Sequence, residues 1–108
     1  MSTVVEYLRY RIDDARAEQF ERDYATAGRV LDRSPECLGY DLARCVDEPQ
    51  CYVLRIRWVS AQAHLQGFRR SPLFREFFAA IRGYVDDIEE MRHYAPTAVS
   101  GPGGAGTG

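Results

Sequence analysis

The chain has 108 residues, 45% hydrophobic and 28% charged, with a formal charge of −2. That balance fits one small globular domain and excludes the dense basic footprint of a nucleic-acid binder. No apolar run approaches the roughly 18 residues of a membrane span. The start, Met1-Ser2-Thr3 followed at once by a strand pattern, lacks the basic and apolar regions of a secretory signal, so a cytoplasmic location is expected. All 14 basic residues are Arg, which excludes lysine Schiff-base chemistry. Asn is also absent. Such a composition points to a GC-rich bacterial genome, and some arginines then stand where they do for compositional reasons.

Taken in chain order, Val4 to Ile12 alternates and reads as a strand. Glu6, Leu8, Tyr10 and Ile12 lie on one face, and Val5, Tyr7, Arg9 and Arg11 on the other. Asp13 and Asp14 sit at a natural N-cap. Phe20, Tyr24, Ala27 and Leu31 recur at helical spacing, predicting a helix from about Ala15 to Arg33 that stops before Ser34-Pro35. Leu38 to Val46 and Cys51 to Val59 read as two further strands joined by the turn Asp47-Glu48-Pro49-Gln50. Ser60 caps a helix whose apolar face carries Leu65 and Phe68. Ser71-Pro72 interrupts and restarts it, with Phe74, Phe77, Phe78 and Ile81 facing inward and Gly83 ending it. Val85 to Tyr94 is the least regular stretch and is read as a fourth strand. Residues 1–96 therefore form the domain, and the Gly-rich residues 97–108 are expected to be a disordered tail.

The order β-α-β-β-α-β predicts an α+β, ferredoxin-like fold: a four-stranded antiparallel sheet with both helices on one face. The uncovered face would present Val5, Tyr7, Arg9, Val53, Arg55 and Arg57, and a second copy of the sheet is its expected cover. Cys37, Cys45 and Cys51 are expected to be reduced thiols, although Cys45 and Cys51 flank the hairpin closely enough for a disulfide to be conceivable. No spacing resembles a metal site, so no metal is expected.

The hairpin Leu38-Gly39-Tyr40…Asp47-Glu48-Pro49-Gln50-Cys51-Tyr52, then Trp58-Val59-Ser60, then Phe68-Arg69-Arg70-Ser71-Pro72-Leu73-Phe74, resembles the antibiotic biosynthesis monooxygenase (ABM) family. The likeness covers roughly residues 3 to 95 and implies a dimeric α+β barrel. A narrower likeness, His64 through Tyr94, is to the ABM module that some actinobacteria fuse to a truncated haemoglobin. What the resemblance implies for chemistry is mixed. Haem-degrading members have an Asn where this chain has Leu8, a pocket Trp at Phe68 and a haem-ligating His near Phe78. Phe cannot hold haem iron, so haem degradation is not expected. Trp58 matches the family tryptophan ending strand three, as a packing anchor or as a ring for substrate stacking.

The remaining implied chemistry is cofactor-independent oxygenation of a hydrophobic aromatic (polyketide, anthrone or quinol type). It needs a dry aromatic pocket, a proton acceptor and an oxyanion donor. Tyr10, Tyr40, Trp58, Phe68, Phe74 and Phe78 are the candidate substrate-binding rings, with core packing the plainer role for each. His64 and His93 are the acid–base candidates. His64 lies one position off the Leu65/Phe68 stripe, to edge the pocket or, by preference, to meet solvent. His93, beside Met91 on its strand face, could look toward a dimer interior. Arg9, Arg11, Arg55 and Arg57 could pair with Asp86, Asp87, Glu89 or Glu90, whereas Arg44 or Arg69 could stabilise an anionic substrate. The competing function is a non-catalytic binding or accessory module whose partner might be a separate truncated haemoglobin.

Overall fold

The computed structural model describes residues 2–105. Strand β1 (Val4–Arg11) leads through a short 3-10 turn (Asp14–Arg16) into helix α1 (Ala17–Leu31). Strands β2 (Cys37–Arg44) and β3 (Cys51–Trp58) follow as a hairpin, then helix α2 (Pro72–Ile81) and strand β4 (Ile88–Tyr94). The sheet order is β2-β3-β1-β4, with every pairing antiparallel. This is the expected ferredoxin-like arrangement.

The alternation in β1 and β3 explains how the sheet meets the helices. Glu6, Leu8, Tyr10 and Ile12 are buried, as are Tyr52, Leu54, Ile56 and Trp58 facing them from β3. Helix α1 closes over this face with Phe20, Tyr24, Ala27 and Leu31, and α2 adds Phe77 and Ile81. Each large apolar side chain so buried contributes about 1.5–3 kcal/mol. One glycine is required by close packing: a Cβ on Gly28 of α1 would lie 2.7 Å from the Tyr40 ring.

Boundaries depart from the sequence reading where local geometry overrides pattern. Asp13 caps the 3-10 turn by accepting from the Arg16 amide at 3.2 Å, so the regular helix starts later than Ala15. A 3-10 stretch over Arg82–Asp87 takes the first residues assigned to strand four, and Gly83 lies inside it rather than at the helix end. After Ser60, the chain makes a π-helical turn over Ala63–Gly67 and a 3-10 turn over Phe68–Arg70. The wider π turn changes the rotational phase of the segment. Leu65, expected on the apolar face, is 46% exposed, while His64 turns inward.

The open sheet face carries Val5, Tyr7 and Arg9, as the strand parity predicts, with Tyr7 and Tyr94 in an edge-to-face contact at 5.8 Å. Its ion pairs only partly follow the expected ladder. Arg9 and Arg11 meet Glu89 at 3.6 and 2.9 Å, but Arg55 pairs with Asp41 on β2 at 3.1 Å, and Asp87 is taken by Arg16 at 2.8 Å. All three cysteines are free thiols. Thr97 to Ala105 is exposed and forms neither helix nor strand; residues 106–108, the rest of the expected tail, lie outside the described residues. No helix among the described residues is long and apolar enough to cross a membrane.

Candidate functional site

A cavity of about 220 Å³ lies between the sheet and α2, walled mainly by Leu8, Tyr10, Ile56, Phe68, Phe77 and Ile81. Its polar groups gather at one end, where three distant parts of the chain meet. Glu6 projects from mid-β1, Trp58 ends β3, and the π turn delivers His64 between them. The Trp58 indole Nε1–H donates to Glu6 Oε1 at 3.1 Å. His64 Nε2 lies 3.3 Å from the same oxygen. The imidazole stacks on the indole, with centroids 4.6 Å apart and planes 11° from parallel. On its other side, His64 Nδ1 is 2.9 Å from His93 Nε2.

Glu6 Oε1 accepts the Trp58 indole proton, and His64 Nε2 lies close beside it at 3.3 Å. His64 Nδ1 and His93 Nε2 share one hydrogen bond, one ring donating and the other accepting. Burial raises the Glu6 carboxyl above its ordinary range, opposed by the Trp58 hydrogen bond and the charges of His93 and Arg69. Burial, with Arg69 and His93 nearby, lowers His64 to about 4. The site therefore holds a neutral imidazole beside a carboxyl made more basic than usual.

These shifts act on stability in opposite senses. Between the unfolded value of 6.5 and the folded value of about 4, the unfolded chain binds more protons at His64. Stability from His64 is complete above that window and is lost as pH falls through it, by about 3 kcal/mol. The raised Glu6 pKa works the other way, favouring the folded state below the ordinary carboxyl value and losing that contribution as pH rises. Thermal melts of His64→Gln should show a smaller loss between pH 6.5 and 4 than the wild type. Parallel losses in both proteins would place the acid sensitivity elsewhere.

Tyr10 and Tyr24 also reach the cavity and share a hydrogen bond between their hydroxyls. Burial pushes Tyr10 up to about 12 and raises Tyr24 as well, so both remain phenols and act as donors rather than proton acceptors. Arg69 sits at the rim with its guanidinium 5.8 Å from the Phe74 ring centroid.

The expected site residues thus divide into two groups. Tyr10, Trp58, His64, Phe68, Arg69, Phe74 and Phe78 line one cavity, Phe78 at its mouth and 39% exposed. Tyr40 and Arg44 do not join them. They line a separate cleft of about 280 Å³ between α1 and β2. Arg44 there bonds the Pro49 carbonyl at 2.6 Å and lies over the Tyr52 ring. Both lie on the edge strand β2, which does not reach the α2 side of the sheet.

Two placements correct the sequence reading. His64 is 2% exposed rather than at solvent, because the π turn rotates it inward. His93 stands opposite Glu6 in the β1–β4 register, so it shares that residue's helix-side face instead of facing a dimer interior. Glu6 itself was passed over as a site residue. Its signal was present: a single acid on a strand face otherwise made of Leu8, Tyr10 and Ile12.

Glu6, His64 and His93 also offer three metal-type ligand atoms within 4.8 Å of one another. Glu6 and His64 are buried and His93 is exposed, so the cluster lies where the cavity end meets the surface. The positions matching the family's haem site, Leu8, Phe68 and Phe78, supply no ligand to haem iron.

The chain matches the antibiotic biosynthesis monooxygenase family over residues 3–80. It belongs to that family. Among solved structures, a Bordetella bronchiseptica protein classed with the antibiotic biosynthesis monooxygenases superposes with a TM-score of 0.73 at 24% identity, covering 93% of this chain and 100% of that one. SnoaB, a cofactor-independent oxygenase from Streptomyces nogalater, superposes with a TM-score of 0.68 at 23% identity, covering 94% and 97% of the two chains. YczJ of Bacillus subtilis, an uncharacterized protein, is 22% identical over 83 residues, 77% of this ABM chain and 87% of its own. At these identities the likeness to the solved structures describes the fold, and the chemistry of this ABM protein has to be argued from its own site.

Proposed function

We propose that this ABM protein is a cofactor-independent oxygenase of a compact, electron-rich aromatic such as an anthrone or quinol. The observation that carries the reading is the apolar cavity whose polar groups converge on Glu6. Such a substrate supplies its own electrons once it has lost a proton. The protein then has to remove that proton, stabilise the anion and keep water away. Glu6, raised by burial, is the proton acceptor, and Arg69 and the Tyr10 hydroxyl are the candidate donors to the developing oxyanion. The flat walls of Phe68 and Phe74 and the mouth residue Phe78 suit a fused ring. A cavity of about 220 Å³ is below the roughly 300–1,000 Å³ of drug-sized sites, which favours a small ring system.

The family is commonly dimeric, and the open sheet face supports a second copy as its cover. It carries exposed Tyr94 beside half-buried Tyr7 and Val53, and Arg9 Nε there has only the Glu89 carboxylate at 3.6 Å, too long for a hydrogen bond. A partner surface can supply Arg9 with a closer acceptor and bury the apolar rings around it.

Oxygen-electrode measurements with dithranol, an anthrone, test the reading. Uptake should exceed the spontaneous rate with a chelator present and no added flavin. One dioxygen should be consumed per anthrone converted to the quinone, with water as the other product. Uptake at the spontaneous rate would sink the oxygenase reading. The fold would then stand as a binding or accessory module, and a truncated haemoglobin would become the partner to test by pull-down.

A further inference from the structure

We propose that Glu6, His64 and His93 form a binding site for a single divalent transition-metal ion of the zinc class. Each residue offers one ligand atom, and the three atoms lie within 4.8 Å of one another. Glu6 comes from β1, His64 from the π turn and His93 from β4. The β1–β4 register sets Glu6 opposite His93, and the π turn brings His64 inward beside both. Positions 6, 64 and 93 therefore share no local spacing by which a metal motif is read.

Donor chemistry selects the ion. Two imidazole nitrogens and one carboxylate oxygen suit zinc and its neighbours, whereas magnesium and calcium prefer a shell of oxygens. Adjacent ligands of a tetrahedral ion, at bonds of about 2.0–2.1 Å, stand about 3.3 Å apart. Two contacts are already close to that spacing: His64 Nε2 to Glu6 Oε1 at 3.3 Å, and His64 Nδ1 to His93 Nε2 at 2.9 Å. His64 coordinates through one nitrogen only, so one of these contacts has to be remade. His93 is exposed, and its ring is the one with room to turn.

The two buried ligands are held from outside the cluster. Trp58 Nε1–H donates to Glu6 Oε1 at 3.1 Å, and the indole stacks on the His64 ring. Contacts of this kind orient the ligands before the ion arrives. Charge works the other way: Arg69 lines the same cavity and its field reaches Glu6. With the ion bound, one carboxylate faces two cations, so the ion should exchange with the medium.

Binding involves no change of oxidation state. Each imidazole keeps one N–H and gives the lone pair of its other nitrogen, while Glu6 binds as the carboxylate and releases any proton it holds to water. A Glu6 so engaged accepts no proton from a substrate, and the ion then acts against the oxygenation proposed above. That consequence rests on the oxygenase reading; the metal site does not.

The test uses Zn²⁺ alone, added to the full chain stripped of metal at pH 7. The chain has two histidines, so long-range ¹H–¹⁵N spectra of the labelled protein report on each ring. Both rings should shift together and saturate at one Zn²⁺ per chain, and excess Mg²⁺ should move neither. His93→Ala removes an exposed ligand and leaves the buried core in place. Calorimetry should show its Zn²⁺ affinity at least about tenfold weaker, the scale of a lost metal-site contact. A double Cys45→Ser, Cys51→Ser variant controls for binding to thiols and should match wild type. Unshifted rings at saturation, wild-type affinity in His93→Ala, or loss of binding confined to the cysteine variant would each overturn the site. Failure of dithranol oxidation with zinc binding intact would count against the oxygenase reading alone.

Discussion

Glu6→Gln should lower the rate of dithranol oxidation by about 10²–10⁴-fold, the range for loss of a positioned general base. Thermal stability should stay level or rise. The amide oxygen can still accept from the Trp58 indole at the 3.1 Å position. What disappears is a carboxylate that burial penalises, and replacing a buried charge while keeping its hydrogen bonds is often neutral or stabilising. Initial rates with a melting curve on the same sample make the comparison. A variant within threefold of wild type would remove Glu6 from the chemistry; one that loses activity and melts early would make it a structural residue.

The largest loss of stability is expected from Phe20→Ala. Phe20 is completely buried and packs against the rings of Tyr10, Tyr24, Tyr52 and Tyr84, all with centroids within 5.2 Å. Removing it takes away one ring and leaves a cavity under the helix, an effect of about 3–5 kcal/mol. A small domain has only about 5–15 kcal/mol in total, so much of the reserve would go. Urea unfolding should show a lower midpoint at unchanged slope. Phe78→Ala is the control: Phe78 is 39% exposed, and its truncation should be far milder. Equal effects from the two would mean that the aromatic cluster around Phe20 does not anchor the core.

The contrast between these two phenylalanines shows how much was legible beforehand. Both sit at helical spacing among apolar residues, and periodicity assigns both inward. Spacing reports which side of a helix a residue occupies, but not how far the opposing surface extends. Phe20 is enclosed by rings from β1, β3, its own helix and the 3-10 stretch after α2, whereas Phe78 reaches the cavity mouth. Tyr40 and Arg44 were likewise plausible site residues by type and strand position. Their exclusion follows from β2 being an edge strand, a fact of sheet order.

The amino-acid sequence by itself determined the element order, the buried faces of β1, β3 and α1, the aromatic character of the interior and the family. Period-two and period-3.6 patterns are local, and each is satisfied within one segment. The Glu6–His64–His93 cluster was decided by tertiary structure alone. It needs the antiparallel register that sets residue 6 opposite residue 93, together with a π turn that shifts residue 64 out of α-helical phase. A register joins segments far apart in the chain, and a π turn breaks the very periodicity by which a helix face is read. Neither leaves a mark in a local pattern, so the acid was visible on its strand while its histidine partners were not.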